Sequence, residues 1–288
     1  MGEYKAEDLK KVKEVQLELF RYFIDLCEEN HLTYFIIGGT AIGALRHQGF
    51  IPWDDDIDVG MPRADYDKLV SIMLEKPKSE MFGVIECQLT PNYPLMFGKI
   101  EKKGTRFITA EFQKIGYEGG IALDIFPFDF IADDKKKRRK QLIRSQVGGK
   151  LLILSQIKCP VLPLHLKGIK RQVIIFTCLS IHYILKCIPN SKHNLYQYTL
   201  KHMTKYNNQQ MQKISCLSDT VLEHCTVEAK LLQQLIKVPF EDLEVWMLPN
   251  MDQLLRRDYG DYMELPPIEA RRNHCPEILS FDYARKEE

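Results

Sequence analysis

Four aspartates crowd into five positions of the segment GFIPWDDDIDVGMPRADY, which runs from Gly49 to Tyr66: Asp54, Asp55, Asp56 and Asp58, set among Trp53, Ile57, Val59 and Met61. An ionised carboxylate removed from water is costly unless a cation or a set of donors compensates it. The segment therefore demands a partner, and that demand restricts the fold more than any other stretch of the chain.

The surrounding pattern says how the carboxylates are presented. Upstream, Val12, Val15, Leu19, Phe23 and Leu26 recur at helical spacing, which predicts a helix ending near Asn30. TYFIIGG then reads as a buried strand, Tyr34 to Ile37, turning at Gly38-Gly39 into a short helix from Thr40 to His47. After Pro52, the stretch Asp56 to Met61 alternates as a second strand, with Ile57 and Val59 on one face and Asp56 and Asp58 on the other. Pro62 opens a helix through Leu74. Residues two apart on a strand share a face, so the Asp56 and Asp58 carboxylates stand side by side and repel unless they share a cation. Magnesium, which takes oxygen ligands at ~2.0–2.1 Å and keeps waters, suits such a pair together with substrate phosphates; manganese is the alternative. The helix start at Thr40 adds backbone donors for a phosphate.

Two plainer readings compete. A solvated acidic loop is opposed by Trp53, Ile57 and Val59, which draw the run toward a core. An EF-hand calcium loop would place Asp54, Asp56, Asp58 and Asp65 at suitable positions, but it requires glycine where this chain has Val59. A third carboxylate, Asp124, lies in GGIALDIFPFD between Leu123 and Ile125 and needs compensation in the same way, from a shared metal or from backbone donors. Asp129, beyond Pro127, reads as a turn residue.

Further strands are expected around 83–88, 95–101 and 121–126. From about Asp133 the strand signals fade and helices are expected over 135–157, 169–188, 195–213 and 251–258, with Pro160, Pro163 and Pro189 as breakers. The fold class is therefore α/β (α+β): a mixed-sheet catalytic core over 1–132 and a mainly helical extension over 133–288, whose segment 246–280 packs back near the site. The apolar window from Val173 to Leu185 falls short of the ~18–20 residues that span a bilayer and is read as a buried helix. KKKRRK at Lys135–Lys140 reads as a solvated helical face, or as a contact with anionic lipid.

Composition excludes some classes. Lysine plus arginine (40) balance aspartate plus glutamate (39), so nothing marks a generic nucleic-acid binder. The eight cysteines form no C-x-x-C pair and read as free thiols of a reducing compartment. The N-terminus lacks the apolar core of a signal peptide, which places the chain in the cytoplasm, with the inner membrane face as a further site of contact.

IIGGTAIGALRHQGFIPWDDDIDVGMPRADYDKL resembles the signature of the LicD family, the bacterial phosphocholine transferases to which fukutin and fukutin-related protein are distantly related. Gly38-Gly39-Thr40, Arg46-His47, Gly49-Phe50, Pro52-Trp53 and the aspartate run stand where that family has them, as do ALDIFPFD from Ala122 and YGDYMELPP from Tyr259. The family is similar to the polymerase-β-like nucleotidyltransferases. The resemblance implies metal-dependent transfer of phosphocholine, or another phosphate-linked alcohol, from a CDP-activated donor such as CDP-choline to a hydroxyl of a glycan or lipid-linked glycan: teichoic acid, lipopolysaccharide or capsule. It implies Asp56 and Asp58 as metal ligands and Asp124 as a third ligand or the acceptor of the hydroxyl proton. Arg46, His47, Lys99, Arg106, Arg271 and His274 are candidates for the diphosphate, and Trp53 or Tyr262 for the choline ammonium. Nucleotide transfer from an NTP and a metal-binding scaffold without turnover are the rival readings.

Overall fold

The computed structural model describes residues 4–75, 78–159, 167–218 and 225–282. The first helix, α1 (Ala6–Asn30), buries Leu19, Phe20 and Phe23 and stops at His31 in the left-handed region (φ 53°). β1 (Phe35–Ile36) is shorter than its sequence suggests, because α2 (Gly38–His47) begins two residues before Thr40. β2 (Asp58–Pro62) likewise starts late: Asp56 and Ile57 precede the paired strand, Pro62 closes it, and α3 (Arg63–Glu75) follows at once. β3 (Phe82–Ile85), β4 (Gly98–Lys102), β5 (Arg106–Ile108), the single turn α4 (Ala110–Gln113) and β6 (Ala122–Ile131) come next.

β6 is the spine of the molecule. β2 runs parallel to it on one side, β4 antiparallel along the first half of its other side, and β1 and β3 extend the sheet outward in the order β1-β2-β6-β4-β3. The strand does not stop before Pro127, as the sequence suggests. The Asp124 N–H points toward β2, donating to the Ile57 carbonyl, so the nitrogen of Pro127 faces the opposite side. There β4 has ended at Ile125 and the next neighbour begins only at Phe128, so no ladder bond is lost.

One face of this sheet presents Val59, Leu123, Ile125 and Ile100, all at most 1 % exposed, to α1 and α3. Tyr22 of α1 packs against Phe82 with ring centroids 4.3 Å apart and the rings tilted by 32°, and Phe20, Phe23 and Tyr34 are likewise enclosed. Burial of each such ring contributes about 1.5–3 kcal/mol. Asp129 is no turn residue: it lies within β6 with no exposure, and Arg63 at the start of α3 grips it in a two-pronged pair of 2.8 and 2.9 Å.

The second half is helical where predicted, in α5 (Lys135–Gln156), α6 (Gly168–Cys187) and α7 (Ser191–Met203). Pro160 and Pro163 lie outside the described residues; Pro189 stands at the break between α6 and α7. It is not mainly helical beyond them. α7 ends ten residues before Lys213, because Asn207 leaves the helix to accept from the Phe130 N–H (2.8 Å) and donate to Asp129 (2.7 Å). The chain then forms β7 (Lys213–Cys216), which pairs with the far end of β6, and β8 (Thr226–Glu228) beside it. A hairpin of β9 (Ile236–Phe240) and β10 (Leu243–Met247), the helix α8 (Met251–Tyr259), and β11 (Ile278–Ser280) paired with β5 complete the fold. Short strands of three to five residues carry too little alternation to announce themselves.

The apolar window 173–185 departs most from expectation. α6 is not buried: α5 covers one side of it, and α7 bends away by 107°. Among its residues only His182 is buried, held by a 2.7 Å contact between Nδ1 and the Leu154 carbonyl.

Candidate active site

The other face of the sheet carries the charged groups. Asp58 on β2 and Asp124 on β6 are register partners across a parallel pair, and Lys99 on β4 is the partner of Asp124 on the far side. The three therefore form a row across adjacent strands. Lys99 Nζ lies 2.7 and 2.9 Å from the two oxygens of Asp124.

The aspartate run approaches this row through a fixed turn. Lys13 of α1 donates to the carbonyls of Ile51 and Pro52, and the Asp54 N–H donates to Ile51. Asp55, 1 % exposed, accepts from the Tyr4 hydroxyl (2.6 Å) and from the His274 N–H (2.9 Å), while Gln16 ties its carbonyl to that of Ala122. Asp55 thus finds its donors within the protein and sets the path of the run.

α2 supplies the other wall. Gly38 adopts φ +53°, which glycine takes without strain, and a side chain there would meet Asp58 Oδ2 at 3.4 Å. A side chain on Gly39 would meet Asp54 Oδ2 at 2.7 Å. The glycine pair lets the helix start come up against two carboxylates, and Thr40 Oγ1 accepts from the Asp58 N–H at 2.8 Å.

The electrostatics show what is missing. Burial, followed by repulsion from Asp56, Asp124 and Asp54, pushes the Asp58 carboxyl well above the ordinary range. Burial and the charges of Asp56 and Asp55 push Asp54 to about 8. Asp124 is raised by burial against the pull of Lys99. For Asp56 burial also pushes upward, but the His274 hydrogen bond and the charges of His274 and Lys99 win and hold it low. His274 Nδ1 stands 3.1 Å from Asp56 Oδ2 and 3.4 Å from Asp55 Oδ1, and these bonds raise its imidazole to about 11. The ligand atoms of Asp54, Asp55, Asp56 and His274 all lie within 4.8 Å of one another. Crowded carboxylates whose charge the protein does not balance, with hard oxygen donors in the majority, fit a divalent cation.

Asp56, Asp58, Asp124, Lys99 and His274 line one cavity of about 430 Å³, together with Gln16 and Asp55. The rest of its lining is mostly aromatic: Tyr93, Phe97, Phe107, Phe112, Tyr117 and Phe126, with Thr109 and Glu111 among them and the Phe97 and Phe126 rings stacked at 4.4 Å. Sequence reasoning missed this wall, since its members come from β5, α4, β6 and the connections before β4 and before β6. It also missed Asp54 as a member of the cation group, although the unbroken D-D-D run signals it.

Other candidates are engaged elsewhere. Arg46 donates to the Tyr262 carbonyl and so anchors the C-terminal segment, and its Nε donates to His47 Nε2 at 2.9 Å. Trp53 is stacked beneath Arg271, 4.4 Å away, with Arg46 at 6.0 Å. Tyr262 is buried and bonded to Asp252 at 2.7 Å. Arg106 pairs with Glu118 at 2.7 and 3.0 Å and stands outside the residues that line the cavity.

The sequence that builds this site matches known proteins. Residues 31–146 match the family described as LicD/FKTN/FKRP, nucleotidyltransferase domain. The chain is 30% identical to the lipopolysaccharide cholinephosphotransferase LicD of Haemophilus influenzae over 268 residues, 92% of this chain and 95% of that protein. It is 41% identical over 44 residues to the ribitol 5-phosphate transferase FKRP of human and of mouse, 15% of this chain and 9% of either relative. This chain belongs to the LicD family.

Proposed function

We propose that the protein transfers phosphocholine, or a similar phospho-alcohol, from a CDP-activated donor to a hydroxyl of a cell-surface glycan. The observation that carries this reading is that one cavity is lined both by Asp56, Asp58 and Asp124 and by a group of aromatic rings. Ring faces attract a quaternary ammonium, so Phe97, Phe112 and Tyr117 would hold the choline end while the diphosphate lies toward the carboxylates. The similarity to a cholinephosphotransferase and to a ribitol 5-phosphate transferase supports phospho-alcohol transfer as the reaction class. A bound magnesium ion would neutralise the diphosphate and the developing charge on the leaving group.

The residues would divide the remaining work. Asp54, Asp56, Asp58 and His274 would hold the cation, with Asp124 as a further ligand or as the base. The acceptor oxygen would form its bond to the choline-bearing phosphorus as the bond to CMP breaks, and CMP would leave with the electron pair. Asp124, its carboxyl raised by burial against the pull of Lys99, would take the acceptor proton. Lys99 would fix the Asp124 carboxylate and offset the charge beside it. The Gly38 and Gly39 amides at the start of α2 would face a donor phosphate.

The test supplies magnesium with CDP-choline, CDP-ribitol, CDP-glycerol or CTP, with and without candidate glycans, and follows CMP and pyrophosphate. CMP from CDP-choline that rises with acceptor is the expected result, and Phe112→Ala should raise KM for CDP-choline while leaving CDP-ribitol unaffected. Pyrophosphate from CTP would instead establish nucleotide transfer. Absence of CMP from every CDP-alcohol with acceptors present would overturn the proposal.

A further inference from the structure

We propose that α6 is a docking surface for an anionic lipid bilayer, on whose plane the helix lies. This goes beyond the catalytic reading and stands without it, since it rests on residues remote from the cavity.

The first observation is a stripe. Ile169, Val173, Phe176, Tyr183 and Ile184 are 56–76 % exposed, and at 3.6 residues per turn they fall on one side of the 20-residue helix. The helix is about 30 Å long, so the stripe is an extended apolar strip and not an isolated residue. The opposite side, with His182 bonded to the Leu154 carbonyl, is the one that faces α5. Nothing among the described residues covers the outer side, because α7 departs at 107°.

The second observation, independent of the first, is charge. The 84 residues 135–218 contain 17 Lys and Arg and no Asp or Glu, while the other 23 Lys and Arg share the rest of the chain with all 39 acidic residues. A protein of net charge +1 is therefore divided into a strongly basic middle and an acidic remainder. Lys167, Lys170 and Arg171 at the start of α6 and Lys186 near its end are all exposed, and on the helical wheel Lys170 and Lys186 flank the stripe on its two sides. Apolar residues entering the acyl boundary, bordered by cations at headgroup level, match an anionic lipid surface and oppose a neutral one. A second copy would set cation against cation along the same stripe. No single helix among the described residues is long and apolar enough to cross a membrane, and the bent pair of α6 and α7 reaches that length only across a 107° break, whereas cations on both sides of one apolar stripe suit a helix lying in the surface plane.

Vesicle co-sedimentation of the full chain tests this, with vesicles of phosphatidylcholine alone or with added phosphatidylglycerol. The expected result is binding only when phosphatidylglycerol is present, weakened by salt. Val173→Asp with Phe176→Asp should lower the partition coefficient by tenfold or more, and Lys170→Glu and Lys186→Glu by about fivefold each. Circular dichroism and CMP release with a soluble acceptor should be unchanged in all three variants, since these side chains are exposed. Failure to bind the mixed vesicles, equal binding to both vesicle types, or retention of binding by the double aspartate variant would overturn the proposal. So would a concentration-dependent dimer that the aspartates abolish in a protein that ignores vesicles, which would assign the stripe to a second copy.

Discussion

Lys99 Nζ sits 2.7 and 2.9 Å from the two oxygens of Asp124, and the same Asp124 is the register partner of Asp58 on its other side. Lys99 thereby stands against two neighbouring half-buried carboxylates, and repulsion from Asp56, Asp124 and Asp54 still adds to burial in pushing Asp58 well above the ordinary range.

Replacing Lys99 by Met should lower stability in EDTA by about 3 kcal/mol, since it leaves buried charge without a partner. Magnesium should restore part of the loss. Asp58→Asn should do the converse, raising the denaturation midpoint in EDTA, because it removes a carboxylate that burial and repulsion disfavour, while abolishing CMP release. Chemical denaturation with and without magnesium checks both. A stable Lys99→Met protein in EDTA would contradict the account of the site.

Arg63 and Asp129 should behave as a unit. Asp129 is fully buried, and Asn207 as well as Arg63 bonds to it. Asp129→Ala alone should cost about 3–5 kcal/mol through the stranded guanidinium, whereas Arg63→Met with Asp129→Leu should cost far less. A double-mutant cycle by urea unfolding measures the coupling.

His202 gives the stability a pH dependence. Burial, then the charges of Arg144, Lys205 and Lys201, hold its imidazole below the ordinary range. The folded state binds fewer protons there than the unfolded chain, so this contribution is complete at high pH and is lost as pH falls through the ordinary imidazole value toward the depressed one. Between about pH 7.5 and about pH 5.5 the wild type should lose more stability than His202→Gln, a difference read from paired urea curves.

Thiol chemistry should separate the cysteines. Burial raises Cys27 and pushes Cys87 to about 12, whereas Cys187 is exposed at the end of α6. Alkylation at neutral pH, followed by peptide mass mapping, should mark Cys187 first and reach Cys27 and Cys87 only after denaturant is added.

The aspartate run, the glycine pair and the third carboxylate were legible because each is a local contradiction: charge inside an apolar pattern, or a turn where a helix must start. The long periodic helices were legible for the same local reason. Asp129 was misread because Pro127 signals a strand end, and only the gap between β4 and β7 beside it makes proline acceptable there. α6 was misread because apolar composition reports a preference to leave water and is silent on what lies outside the helix.

The sequence by itself determined that acids would meet at a strand and a glycine-led helix start, because spacing and side-chain chemistry act within a few residues. Only the tertiary structure decided that Lys99 neutralises Asp124, that His274 comes 219 positions along the chain to bond Asp55, and that six aromatic rings close the cavity. Those relations depend on strand register and on which distant segments pack together, and no neighbouring residue encodes either.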